Sequence, residues 1–259
     1  MNIVIIGSGN VAAVLGRRFR SAGHVILQVV SRNAQAASEL AYEWDSESAN
    51  YMTLLNRDAD LYVIAVADGA IAQVAADLHL PRALVVHTAA SVSKEVLSEV
   101  SENYGVLYPL QSLRKEMDAI PEIPLYIDAS NERSLNKLSE LVASLSPAVA
   151  LPASDDERVK LHLAAVFASN FTNHLYALAE RYCKKEGIDY TQLYPLILET
   201  ASRLRGAPAA SLQTGPAIRG DEATIAAHLA LLDKHPHLQK VYRLLSDSIR
   251  ESSWTGSLP

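Results

Sequence analysis

The chain has 259 residues, 49% apolar and 20% charged, which excludes a disordered chain and fits one or two domains with a substantial core. Its net charge of -6 argues against nucleic acid as the main partner, which would favour a basic face. A single cysteine, Cys183, excludes an intramolecular disulfide and a cysteine metal cluster, and no apolar run reaches membrane-spanning length, because Asp68 and Asp77 break the longest candidate. The apolar start is too short for a signal peptide and lacks a basic leader, so the expected compartment is the cytoplasm, with no membrane partner.

From the first residue to about 153, short β-rich runs alternate with helical patterns. Strands are expected at 2–6, 25–30, 61–65, 84–88, 105–108, 125–128 and 148–151, and helices at about 10–22, 33–42, 69–79, 92–101 and 132–145. Runs such as LYVIAV and ALVVHT are apolar on both faces, as strands of a helix-covered parallel sheet must be. The expected fold class is α/β, with a doubly wound, mostly parallel Rossmann sheet over 1–153. Residues 43–57 have mixed periodicity, with room for a short edge strand near Tyr51.

After Pro152 the pattern changes. Ser154 followed by Asp155, Asp156 and Glu157 supplies an N-cap and an acidic first turn. About thirty residues of helical pattern then run to Gly187, followed by helices at about 190–205, 221–234 and 237–250. A second, all-helical domain is therefore expected over 154–259.

The first strand runs into Gly7-Ser8-Gly9-Asn10-Val11-Ala12. A strand ending in Gly-x-Gly-x-x-Ala and opening a helix can hold a pyrophosphate on the first-turn N–H groups. Gly7 permits the turn, Gly9 lets the backbone approach the phosphates, and Ala12 allows close packing. At the end of the second strand, 24 residues after Gly7, stand Ser31, Arg32 and Asn33. An acid there would select NAD; a hydroxyl, a guanidinium and an amide suit the 2′-phosphate of NADP, so NADP is favoured. Ser31 and Asn33 can also cap the next helix while Arg32 faces solvent.

Ligands of open α/β sheets bind outside the carboxyl ends of the strands. There the sequence offers Ala67 and Asp68, then His87, Thr88 and small residues to Ser91, then Tyr108 and Gln111. Asp68 is expected to cap a helix, and His87 to be a hydrogen-bonded structural residue more than a catalyst. Ala67 and Thr88 are candidates for the nicotinamide side, and Tyr108 and Gln111 for the lining of the cleft. In the long helical pattern His162, Ser169 and Asn173 share one stripe, with Asn170 about 80° away from His162 at ~100° per residue. They form either an interhelical hydrogen-bond network or a substrate-facing side. His174 is expected to be structural or exposed, and Cys183 a small hydrophobe of a helix. Further on, Thr214 and Arg219 sit on a loop before Asp221, which can cap the next helix through the N–H of Thr224. They either bind an anionic or carbonyl-bearing substrate or belong to an ordinary connection between helices. His228 could point to the same side. No spacing of Cys, His or Asp points to a metal.

GSGNVA, AVAD at 65–68, HTAAS at 87–91, YPLQS at 108–112, HLAAVFASN at 162–170 and TGPAIRGD at 214–221 together resemble a family of NADP-binding oxidoreductases. Its members join a Rossmann domain to a helical domain of unknown function. The family is similar to deazaflavin-dependent NADP oxidoreductases, pyrroline-5-carboxylate reductase and the 6-phosphogluconate-dehydrogenase-like superfamily. The resemblance covers nearly the whole chain and implies a homodimer through the helical domain and an active site between the domains. It implies no particular substrate. The chain departs from the pattern in lacking the proline common in the AVAD turn and in the two alanines of HTAAS. The expected function is hydride transfer between NADP and a small carbonyl, imine or hydroxy substrate. In it His162 serves as acid or base, Asn170 orients the substrate, and Gln111, Asn173, Thr214 and Arg219 contact it. The alternative is a dinucleotide-binding sensor or scaffold without turnover.

Overall fold

Residues with fully apolar, β-branched runs form the centre of a single sheet. The computed structural model describes residues 1–117, 119–145 and 150–251. Strands β1 (Asn2–Ile6), β2 (Val25–Val30), β3 (Glu47–Ala49), β4 (Leu61–Ile64), β5 (Leu84–His87), β6 (Asn103–Pro109), β7 (Leu125–Ala129) and β8 (Ala150–Pro152) pair in the order β3-β2-β1-β4-β5-β6-β7-β8. The first six are parallel and in Rossmann order, so the switch point lies between β1 and β4. Residues 148–149 of the last expected strand lie outside the described residues.

β7 returns antiparallel to β6, with Tyr108 opposite Tyr126. The connection carries no described helix and contains Pro121 and Pro124. A parallel crossover needs a connection of a dozen or more residues, usually helical, and this one spends its length on a loop. The helix expected at 92–101 is reduced to a 3₁₀ turn, Lys94–Leu97. Serines compete for its backbone: Ser93 accepts from the Glu95 N–H and Ser101 from the Asn103 N–H. The edge strand anticipated near Tyr51 forms earlier, as β3, and Met52–Leu54 is a 3₁₀ turn.

Helices α1 (Asn10–Ser21), α2 (Ala34–Trp44), α3 (Ile71–Ala76) and α4 (Glu132–Ser144) connect the strands. Two apolar clusters cover the two faces of the sheet. One gathers Ile3, Ile5, Leu15, Phe19 and Trp44 beneath α1, α2 and α4; the other gathers Val4, Ile6, Tyr62, Ile64 and Ile71. Alternate residues of β1 thus serve opposite layers, as the period of a doubly covered strand requires.

Helix α5 (Asp155–Ala165) opens with a capping box between Ser154 and Glu157 and is followed by a π-helical turn, Val166–Phe171, and α6 (Thr172–Glu186). The chain forms two compact units, Met1–Ser169 and Asn170–Pro259, so α5 belongs with the sheet. The second unit also holds α7 (Tyr194–Arg203), the short α8 (Pro216–Arg219), α9 (Glu222–Leu231) and α10 (Pro236–Glu251). Gly187 ends α6 in the left-handed conformation, and Asp221 caps α9 through the Thr224 N–H at 3.0 Å, both as the sequence anticipates.

The anchor of α5 is Arg158, fully buried. Its guanidinium donates to the carbonyls of Ala153 and Val92, both at 3.1 Å, and to the Asp155 carboxylate. Asp128 of β7 lies 3.5 Å away and is shared with Lys94. A buried cation removed from such a set leaves carboxylates and carbonyls without their partner. Arg158→Met should therefore cost about 3 kcal/mol of stability, read as a lower midpoint in urea unfolding. A change below about 0.5 kcal/mol would rule out the anchoring role.

Candidate active site

A cavity of about 570 Å³ opens at the switch point. Its floor is the β1–α1 turn, with Gly7, Ser8, Gly9, Asn10 and Val11 all in the lining. Gly7 has φ +127°, and a Cβ there would collide with the carbonyl oxygen of Ala65. Gly9 differs: its φ is -83°, ordinary for any residue, and a Cβ would meet nothing within 4 Å. The fold does not require glycine at 9, and its bare backbone leaves that part of the cavity floor open to a close approach. The first turn of α1 receives no side-chain cap at Gly9 and carries no acidic residue, so its N–H groups stay free for an anion. The residues present therefore fit a dinucleotide pyrophosphate.

At the end of β2 the Ser8 and Ser31 hydroxyls share a hydrogen bond of 2.8 Å, and the Ser31 oxygen accepts from the Asn33 N–H. Asn33 caps α2 by accepting from the Ala36 N–H. Ser31 thus orders the turn and Asn33 caps the helix, while both keep their place in the cavity wall. Arg32 is exposed beside them and is, among the described residues, the one cation of the lining. The one carboxylate among those residues, Asp77, comes from the end of α3 and not from the tip of β2.

Ala67, after β4, also lines the cavity. Asp68 does not cap a helix as expected. Its carboxylate accepts from the Ser91 hydroxyl at 2.6 Å, and Ala67 stands at the N-cap without a side-chain bond. Asp68 thereby ties the end of β4 to the loop after β5. Thr88 is buried, with its N–H given to the Ile64 carbonyl, and is not among the lining residues. His87 is fully buried. Its Nε2–H donates to the Ser93 carbonyl at 3.3 Å, while Nδ1 accepts from the Ala89 N–H at 3.2 Å. Burial first, then the nearby Arg158 charge, pushes its pKa down to about 4. It is a neutral brace for the loop, as the sequence reading favoured.

At the end of β6, Tyr108 packs against Ala90 and Tyr126 and places its hydroxyl 3.2 Å from Nδ1 of His162 on α5. The two rings meet edge to face, with centroids 6.4 Å apart. Burial, then the negative charge of Asp68, raises the pKa of the phenol. Tyr108 thus stands within the field of Asp68, whose neighbour in sequence, Ala67, lines the cavity.

Comparison with known proteins bears on this geometry. Residues 2–91 match the coenzyme F420-dependent NADP oxidoreductase domain, and residues 123–249 match DUF2520, a domain of unknown function. BF3122 of Bacteroides fragilis, provisionally assigned as an NADP oxidoreductase, is 39% identical over 96% of this chain and 98% of its own, with a TM-score of 0.91. The chain belongs to this NADP oxidoreductase family. Pyrroline-5-carboxylate reductase of Streptococcus pyogenes shares the fold at 15% identity and TM-score 0.63, over 97% of this chain and 98% of its own. So does an imine reductase of Myxococcus stipitatus, solved with NADP⁺, at 19% identity and TM-score 0.62, over 99% of this chain and 95% of its own. No curated protein matches the chain.

The other candidate residues are distributed as follows. Gln111 is exposed, and its amide is engaged by its own loop, donating to the Glu122 carbonyl and accepting from the Ser112 N–H. His162 belongs to the first unit and Asn170 and Asn173 to the second. The π-helical turn between them takes more residues per turn than an α-helix, so the spacing of seven and four no longer fixes one stripe. Thr214 and Arg219 are exposed, and no ion pair holds Arg219 among the described residues. His228 pairs with the Tyr242 hydroxyl at 2.9 Å, and the exposed His174 ring meets His237. Cys183 is buried in α6. Among the described residues no three His, Cys, Asp or Glu side chains converge on a possible metal position, and no helix is long and apolar enough to cross a membrane.

Sequence reasoning missed Arg158. The available signal was a cation at the fourth position after a strong N-cap, with Asp155 three residues before it; nothing local distinguishes it from a solvated charge.

His87 sets a pH dependence. In the unfolded chain it takes a proton near its ordinary value of 6.5, whereas the native site resists protonation until about 4. Between those values the unfolded state binds more protons, so stability falls as pH drops and is unaffected above. The expected loss from pH 7 to pH 5 is about 2 kcal/mol in urea unfolding. His87→Gln should remove that part of the slope; an unchanged slope would refute the assignment.

Proposed function

We propose that the protein is an NADP-dependent oxidoreductase acting on a small carbonyl, imine or hydroxy compound. The observation that carries this reading is the glycine-floored cavity whose β2 tip offers Ser31, Arg32 and Asn33 in place of a carboxylate. The α1 amides hold the pyrophosphate, and Arg32 with Ser31 holds the 2′-phosphate, which an acid at that tip would repel. That an imine reductase of this fold was solved with NADP⁺ agrees with it. When bound, the reduced nicotinamide supplies a hydride to an electrophilic carbon. His162 supplies or takes the accompanying proton through Nε2, since its Nδ1 is engaged by Tyr108. Thr88 is proposed for the nicotinamide side. Asn170, Gln111, Asn173, Thr214 and Arg219 are proposed for the polar groups of the substrate.

We further propose a homodimer through the helical unit. Among its described residues five hydrophobic side chains are buried: Leu178, Cys183, Ala217, Ile225 and Leu232. Leu198, Leu244 and Leu196 are by contrast 71%, 69% and 64% exposed. Apolar area left open on this scale is what a second copy covers.

Fluorescence titration with NADPH, followed by a panel of aldehydes, ketones, cyclic imines and hydroxy acids, tests the enzyme reading. Arg32→Ala should weaken NADPH about tenfold and NADH hardly at all, on the strength of a charge-assisted phosphate contact. His162→Ala should cut turnover about 100-fold with NADPH affinity retained. Binding without turnover across the panel would instead favour a sensor. Sedimentation should give twice the mass of one chain, and Leu198→Glu with Leu244→Glu should give one; a monomeric wild type ends the dimer reading.

A further inference from the structure

We propose that Tyr108 is a positioning residue that holds the His162 imidazole with Nδ1 bonded inward and Nε2 free for proton transfer. This rests on the acid–base reading of His162 and adds the group that orients it.

A buried hydroxyl on Tyr108 carries a cost. Tyr108 is 8% exposed at the end of β6, and its ring is clamped by Ala90 and Tyr126. Phenylalanine would fill that apolar space equally well, and a buried phenol without a partner loses the hydrogen bonds water gave it. The partner given to it is Nδ1 of His162 at 3.2 Å. Nε2 of that ring has no protein partner among the described residues.

The arrangement constrains the imidazole from a rigid base. Tyr108 lies on a strand of the sheet, and His162 lies one turn beyond Arg158, which fixes α5 to the loops after β5 and β8. The hydroxyl oxygen is an acceptor as well as a donor. It accepts from Nδ1–H in the charged ring and in the neutral ring that has given up its Nε2 proton, so one contact serves both states. The proton that accompanies hydride addition leaves Nε2 of the charged ring for the substrate heteroatom. The neutral ring then recovers a proton from solvent at Nε2, and Tyr108 ends each cycle unchanged. Burial, with the charge of Asp68 adding to it, disfavours ionisation of the phenol and keeps Tyr108 a hydroxyl.

The test uses the full chain labelled with ¹⁵N-histidine, without ligand, and needs no substrate for its first arm. The His162 ring signals are identified as those lost in His162→Gln. In the wild type at high pH, Nδ1 should show the shift of a protonated nitrogen and Nε2 that of an unprotonated one. In Tyr108→Phe the proton should redistribute towards Nε2, moving the Nδ1 signal towards the unprotonated position, with the unfolding midpoint confirming that the variant folds. An Nδ1 shift identical in both proteins overturns the proposal. In the second arm, NADPH oxidation with any panel substrate turned over, Tyr108→Phe should lower kcat about tenfold and leave the KM for NADPH within about twofold. It should cost nothing further in a His162→Ala background, because the two act as a unit. A full loss added on top of His162→Ala would mean that Tyr108 acts independently, and overturns the inference alone. If His162→Ala keeps full turnover, the acid–base reading falls and takes this inference with it.

Discussion

A backbone contact that no side chain tolerates governs the first unit. At Gly7 the chain leaves β1 with φ +127° and passes against the Ala65 carbonyl at the end of β4. Because that contact is made without a Cβ, β1 and β4 can end side by side where the strand order reverses. The chain then enters α1 with its first N–H groups facing the gap. The cavity, its floor of amides and its wall at Ser31 and Arg32 all follow from this one turn. An alanine at 7 would have to push β4 away or adopt a strained backbone, so the cost would fall on the fold and on the phosphate site together. Gly9, two residues on, is free of both constraints, so only the first glycine of the pair is one the fold needs.

A second constraint sets the other side of the sheet. Arg158 takes the carbonyls of Ala153 and Val92 and the carboxylates of Asp155 and Asp128 around one guanidinium. Those groups come from the start of α5, the loop after β5 and strand β7. One buried side chain therefore fixes three segments that the sequence keeps far apart. Asp155 shows the balance: burial would raise its pKa, yet hydrogen bonds from Ser93 and Arg158 lower it overall. Four residues after Arg158, on the same side of the helix, His162 reaches Tyr108. Charge in the interior thus decides where an exposed imidazole stands.

The parts legible in the sequence are those that depend on backbone geometry. Apolar runs located the strands, because each must be covered on both faces. The glycine motif located the turn after β1, because Gly7 takes a positive φ that only glycine adopts without strain. Ser154, Gly187 and Asp221 marked helix ends through local hydrogen bonds. What could not be read depends on partners distant in sequence. Asp68 followed the pattern of a cap, but the Ser91 hydroxyl outcompeted the helix end for its carboxylate. The segment 92–101 had helical spacing, yet its apolar residues Val96, Leu97 and Val100 pack on the core from a 3₁₀ turn while the serines take the backbone groups. The π-helical turn upset the arithmetic of 100° per residue without leaving a local trace. Arg158 looked like any solvated charge until the segments that surround it were assembled.

Two histidines show how environment assigns chemistry to one residue type. His87 lies at 0% exposure, one nitrogen giving its proton to Ser93 and the other taking one from Ala89, with the Arg158 cation nearby opposing any further charge. A ring so satisfied can neither take nor give a proton near neutrality, and its value lies in shaping the loop that ends in Ser91. His162 stands on the surface of α5 with one nitrogen engaged by a rigid phenol and the other open. The carboxyl ends of neighbouring strands thus spend one imidazole on architecture and leave the other with one nitrogen open. Burial holds the first neutral with the Arg158 charge adding to it, and Arg158 places the second by anchoring its helix.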